Sequence, residues 1–148
     1  MGKKSTSKSV SYDYTINPDL GTTTALESYM NSQAFKFREE GNYPEVERHQ
    51  SLAVQLCERA IGLESTTTAT NWNNLGEVYI LMDRLDDAEK HLRKALEIRE
   101  ASNDMFDAAV TCENLARVYE CRGDLQEADG LVLPTRSRAI ITSVSVRL

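Results

Sequence analysis

One spacing of small and bulky residues constrains this chain more than anything else in it. From Trp72 the sequence runs Trp72-Asn73-Asn74-Leu75-Gly76-Glu77-Val78-Tyr79, and Leu85, Ala88, Leu92 and Ala95 follow at helical intervals. Gly76 and Ala88 have almost no side chain, so two helices can touch there, while Leu75, Tyr79, Leu85 and Leu92 fill the space around the contact. The spacing recurs on both sides. Cys112, Leu115, Ala116 and Tyr119 repeat it forty residues later, and Leu125 and Ala128 match Leu85 and Ala88. Met30, Ala34 and Phe37 repeat it forty-two residues earlier, with Tyr43, Val46 and Ala53 behind them. The two histidines, His49 and His91, also share one repeat position. A single hairpin of this kind cannot bury its apolar face, so the copies must stack.

The W-x-x-L-G-x-x-Y pattern followed by spaced Ala and Leu resembles the tetratricopeptide helix pair, whose standard unit is about 34 residues. The period here is longer, as in the repeats of kinesin light chains and related adaptors. The stretches Asn73-Asn74-Leu75-Gly76 and Glu113-Asn114-Leu115-Ala116 resemble that subclass's N-N-L-A element. The resemblance covers roughly residues 25–128. It implies an all-α fold, an α-solenoid of about three antiparallel helix hairpins with a degenerate last helix. The expected organisation is a disordered tail over residues 1–23, a repeat domain over 24–133 and a C-terminal tail over 134–148.

The element boundaries follow from local chemistry. Residues 1–23 are rich in Ser, Thr, Lys and Gly and lack an apolar period, as a disordered tail would. Met1-Gly2-Lys3-Lys4-Ser5-Thr6 formally fits an acylation pattern, although lysine directly after the glycine is unusual there. Thr24-Ala25-Leu26-Glu27 reads as a capping box that starts the first helix. Gly41 ends that helix, and Asn42 with Pro44 opens the next, which stops near Gly62. Residues 64–68 read as a Ser/Thr loop before a helix from about Ala69 to Met82. Asp83 is expected to cap a helix running to about Ala101. Asn103-Asp104 breaks and recaps, the next helix spans about Met105 to Cys121, and Gly123 stops it. Asp124 to Glu127 is a further capping box. Beyond it Gly130 costs a helix about 1 kcal/mol against Ala, and Pro134 breaks it. Residues 139–146 are β-branched without helical period, and no polar capping helix closes the stack. The chain ends in Val146-Arg147-Leu148, an apolar terminus of the kind that can add as a strand to a peptide-binding domain.

Charge narrows the partners. The formal net charge is −6, but the first 22 residues carry +1 and the last 13 carry +3, leaving −10 on the repeats between. Such a surface repels phosphate backbones, so no nucleic acid is expected, and it favours a basic or neutral peptide. The three cysteines, Cys57, Cys112 and Cys121, form no C-x-x-C pair, and their number is odd. Reduced thiols in a cytoplasmic or nuclear protein are the simplest reading, with no secretory signal and no membrane span. No phosphate loop, nucleophile elbow or H-E-x-x-H run is present, so no enzyme activity, cofactor or metal is expected. Asp83, Asp86 and Asp87 lack calcium-loop spacing and sit where a helix N-terminus favours acids.

What remains is a binding surface. The resemblance implies that the first helices of the hairpins line a concave groove and that their outward residues meet a peptide. Carried over by position, these are Asn31 and Phe35; Asn73, Asn74 and Glu77; and Glu113, Asn114 and Arg117. An asparagine amide both donates and accepts, so it can pair with an extended backbone. The opposing expectation is that these asparagines tie neighbouring helices together. A carboxylate ligand would be repelled, because Arg38 and Arg117 face Glu39, Glu77, Glu113 and Glu120. The expected function is a non-catalytic adaptor holding a protein or peptide partner. The alternatives are self-association as a homo-oligomer through the uncapped third repeat, and a regulatory helical part of a larger signalling protein.

Overall fold

The structure, a computed structural model, describes residues 20–131. The expectations for the segment before Leu20, including the acylation pattern, and for everything after Leu131, including Pro134 and the β-branched stretch, lie outside the described residues. Among the described residues every regular element is a helix: α1 (Leu20–Glu39), α2 (Tyr43–Ala60), α3 (Thr66–Leu81), α4 (Leu85–Ala101), α5 (Met105–Arg122) and α6 (residues 125–131). α1 packs on α2 and α3 on α4 as hairpins, and the contacts of α2 with α3 and of α4 with α5 stack one hairpin on the next. None of these helices is long and apolar enough to cross a membrane.

The same turn closes each hairpin. Gly41, Asp83 and Gly123 stand at one repeat position and all take positive φ, at 70°, 57° and 85°. In each case the next amide reaches back to the carbonyl five residues earlier: Asn42 to Phe37, Arg84 to Tyr79 and Asp124 to Tyr119, at 2.8–2.9 Å. These bonds satisfy carbonyls that the helix end leaves open. The change of repeat shift from forty-two to forty residues has an equally local cause. Five residues (61–65) join α2 to α3, whereas three (102–104) join α4 to α5.

Three expected boundaries move. Thr24 is not a cap: α1 begins at Leu20, and Thr23 is buried within it. The Glu27 carboxylate, expected to reach back to the chain start, instead accepts from Asn31 and Asn71. The Ser/Thr loop is mostly helix. Ser65 caps α3 by accepting from the Thr67 amide, and Thr68 donates to the Gly62 carbonyl at 2.8 Å. Asp83 does not cap α4; Arg84 holds that position without a side-chain bond, because Asp83 fills the left-handed turn that glycine fills elsewhere.

The small residues lie between helices. Ala34, Ala88, Ala116 and Ala128 are all buried. A Cβ on Gly76 would sit 2.6 Å from Leu92 Cγ and 2.7 Å from its Cδ2, so glycine is what lets α3 and α4 close. Leu75, Leu92, Leu115 and Val118 form the main core cluster around that contact. The paired histidines also share a task. His49 and His91 each bond the backbone carbonyl four residues earlier through Nδ1, and each ring packs on an aromatic of the preceding helix, Phe37 for one and both Trp72 and Tyr79 for the other. Burial pushes the His91 imidazole below its ordinary pKa, so it packs there as a neutral ring.

Candidate functional site

The first helices of the hairpins, α1, α3 and α5, are not evenly spaced. α3 and α5 touch, whereas no Cα of α1 comes within 8 Å of one on α3. Side chains account for the closed gap. Asn114 on α5 is 6% exposed, and its Nδ2 donates to Asn73 Oδ1 at 3.2 Å and to Glu77 Oε1 at 3.0 Å. Asn73 itself donates to Glu77 Oε1 at 3.1 Å. The carboxylate of Glu77 thus gathers two amides on one oxygen. Its other oxygen lies 3.5 Å from Arg38 Nη1 of α1, the one ion pair among the described residues that reaches across the open gap.

A cleft of about 190 Å³ occupies that open gap. Ala34, Val46 and Val78 supply apolar wall, and Asn31, Phe35, Arg38, Asn74 and Glu77 surround it. Gln50 of α2 lines it too, although the side chain is 7% exposed. The carbonyl oxygens of Asn31 and Gln50 are both buried and accept no hydrogen bond. Asn31 cannot turn its carbonyl away at no cost, because its Nδ2 is held by Glu27 Oε1 at 3.2 Å. The polar lining is therefore mixed: the half-buried Glu77 carboxylate, the Arg38 guanidinium and the amides of Asn31, Gln50 and Asn74, with the two unpartnered carbonyl oxygens buried beneath them.

A three-residue clamp joins successive hairpins. Glu47 of α2 accepts from the Tyr79 hydroxyl at 3.0 Å and from Arg84 at 2.8 Å, and the guanidinium of Arg84 lies over the Tyr79 ring. One repeat later Glu89 of α4 accepts from Tyr119, Arg122 and Arg93, and Arg122 lies over the Tyr119 ring. Burial, with Glu47's acceptance second, pushes the Tyr79 hydroxyl up to about 12. The hydrogen bonds from Tyr119 and then Arg122 hold the Glu89 carboxyl down at about 2, well below its ordinary 4.5. A depressed carboxyl binds fewer protons folded than unfolded, so its stabilisation is complete above the unfolded value and is lost as pH falls from about 4.5 to about 2. The urea midpoint of the protein is expected to fall steeply across that window. In Glu89→Gln the midpoint is already lower at neutral pH, and this part of the slope disappears.

The eight positions expected to contact a peptide thus divide. Asn31, Phe35, Asn74 and Glu77 meet around the cleft. Asn73 and Asn114 are buried and bonded to each other, so both act between helices. Arg117 is exposed and donates to Asn114 Oδ1 at 3.4 Å, and Glu113 is exposed on the same helix face. The sequence reading missed Gln50. The available signal was a broken repeat: Gln50 stands where the next copy has Leu92. It also missed the clamp, whose signal was Glu47 and Glu89 at the same forty-two-residue shift as the histidines. Among the described residues no cluster of three His, Cys, Asp or Glu side chains is placed to hold a metal ion.

Comparison with known proteins agrees with this architecture. The family profile described as tetratricopeptide repeat matches residues 25–101 and, overlapping them, 67–131. Among solved structures, the crystal structure of BtubC (BKLC) from P. vanneervenii matches with a TM-score of 0.71 at 28% identity. The match covers 78% of this chain and 48% of that one, so the chain spans about half the length of that kinesin-light-chain-like protein. No curated protein matches. Tetratricopeptide repeats are protein–protein interaction modules and are typically non-catalytic. The profile spans most of the chain, and the hairpins, the turns and the buried small residues recur in register, so the chain belongs to the tetratricopeptide-repeat family in its long-period, kinesin-light-chain-like form.

Proposed function

We propose that this chain is a non-catalytic adaptor module that grips an extended peptide along the face running from the α1–α3 cleft to the exposed side of α5. The cleft carries the reading. It is the place among the described residues where two first helices stand apart and where an exposed aromatic, Phe35 at 65%, flanks apolar wall and the half-buried Glu77 carboxylate. The peptide is basic or neutral. Glu77 and Glu113 lie on this face, and its two arginines already lean on Glu77 and Asn114.

The test begins with capture of the partner by the full chain and its identification by mass spectrometry, followed by calorimetric titration with variants. Phe35→Ala and Asn74→Ala are each expected to weaken the captured peptide about tenfold, a change of about 1.4 kcal/mol, with little change in melting temperature. Asn114→Ala is expected to lower the melting temperature by about 4–8 °C per kcal/mol lost, because it strips two bonds between α3 and α5. Undiminished binding to both Phe35→Ala and Asn74→Ala would place the peptide elsewhere.

A further inference from the structure

Two residues of α5 depart from their repeat for no reason of packing. Phe106 and Val110 stand where the copy before has Thr66 and Thr70, and the first copy Thr24 and Ser28. Phe106 is 80% exposed and Val110 37%. Scattered exposed apolar residues are ordinary, but two neighbours at positions where the other copies carry hydroxyls imply something that covers them. The helical spacing sets Phe106, Val110, Glu113, Arg117 and Glu120 on one face. Glu113 and Glu120 are exposed and enter no ion pair among the described residues, while Arg117 turns its Nη1 to Asn114 Oδ1. The strip offers an apolar patch followed by acids that no cation answers.

We propose that residues 136–148 of this same chain dock on that strip, laying β-branched side chains over Phe106 and Val110 and setting Arg136 and Arg138 against Glu113 and Glu120. The inference rests on the proposed peptide-binding role of this face, for which the segment is then a competitor carried by the chain itself.

The sequence of the segment suits the strip in charge, pattern and reach. Residues 132–148 hold three arginines and no acid, the complement of the acidic repeats. In an extended chain alternate side chains share a face, and Arg136, Arg138, Ile140, Thr142, Val144 and Val146 fall on one. Two cations lead and apolar branches follow, the order in which acid and apolar patch succeed each other along α5 from Glu120 back to Phe106. Leu131 packs against the cluster of Ala116, Tyr119 and Ala128, so the segment departs from beside the middle of α5. The five residues from Val132 to Arg136 extend to at most about 18 Å, enough to round a helix about 10 Å across. A second copy meeting this face with its own would oppose acid to acid, which favours the chain's own segment as the occupant.

Photo-cross-linking of the full chain tests this without a partner. Phe106 is replaced by the photoreactive p-benzoylphenylalanine, and equal amounts of unlabelled and isotopically heavy chain are mixed before irradiation. Cross-links from position 106 to residues 136–148 are expected, joining light to light and heavy to heavy. Arg136→Glu together with Arg138→Glu should cut their yield about fivefold, the worth of two exposed ion pairs. With Phe106 native, the same double substitution should tighten the captured peptide about fivefold, because the competitor is lost. Cross-links that are absent, that join light to heavy, or that survive charge reversal undiminished would overturn the docking and leave the binding face standing. Charge-sensitive cross-links within one chain, with peptide affinity unchanged, would establish the docking and overturn the part of this strip in holding the partner.

Discussion

Gly76→Val is expected to cost this protein about 3 kcal/mol, the upper range for forcing extra carbon into a packed core. The cause is a single contact. A Cβ at this position would stand 2.6 Å from Leu92 Cγ, where two carbons need about 3.5–4.0 Å. Leu92 has nowhere to go, since it is fully buried among Leu75, Leu115 and Val118. Gly76→Ala is milder for two opposed reasons. It makes the same collision but gains about 1 kcal/mol of helix propensity, so a net loss of about 1–2 kcal/mol is expected. Combining Gly76→Ala with Leu92→Val opens room for the new methyl, so the double variant should be less destabilised than the sum of the singles. Urea denaturation of the four proteins in that cycle measures the coupling. Strict additivity would mean that the two residues do not meet.

The hairpins were legible because close helix packing writes itself into residue size. Gly76, Ala88, Ala116 and Ala128 had to be small to let helices touch, and each is buried. The turns were legible where glycine filled them and misread at Asp83, because aspartate both caps helices and tolerates the left-handed conformation. Sequence alone does not decide between those uses. The start of α1 was misread for a related reason. Thr24-x-x-Glu27 has the spacing of a capping box, but Glu27 bonds Asn71, forty-four residues away, and no local pattern carries that partner.

The binding face was legible by position and not by role. The repeat register put Asn31, Asn73, Asn74 and Asn114 on the first helices, yet an asparagine that reaches a ligand and one that reaches the next helix look alike in sequence. Their separation depends on how far apart two helices stand. Where α3 and α5 close, Asn73 and Asn114 turn inward onto each other. Where α1 and α3 stay apart, Asn31 and Asn74 face the cleft. Gln50 was the residue that could have marked the difference beforehand, as a polar side chain in a leucine's place.

The other large effect is expected at Arg99, where α3, α4 and α5 converge. The side chain is 3% exposed, and burial pulls its guanidinium below the ordinary pKa. Nη1 donates to the Asp107 carbonyl at 2.8 Å and to the Thr111 hydroxyl, and Nη2 reaches Thr70 Oγ1 at 3.4 Å and Asp107 Oδ2 at 3.7 Å. Nε is buried without a partner. Arg99→Ala removes the stem and every one of these ties, and a loss of about 3 kcal/mol is expected, as when a large buried side chain is truncated and leaves a cavity. Arg99→Met separates packing from charge. It keeps the stem's bulk and relieves the desolvation of the cation. It also leaves no stranded donor, because the Thr111 hydroxyl still bonds the Asp107 carbonyl at 3.1 Å. The methionine variant should therefore stay within about 1 kcal/mol of the parent, since well-packed apolar replacements of buried ionic groups are often neutral. Equal losses in both variants would assign the stability to the guanidinium's bonds. A loss confined to alanine would show that Arg99 holds the hairpins together mainly as a hydrocarbon, with its charge setting which helices meet.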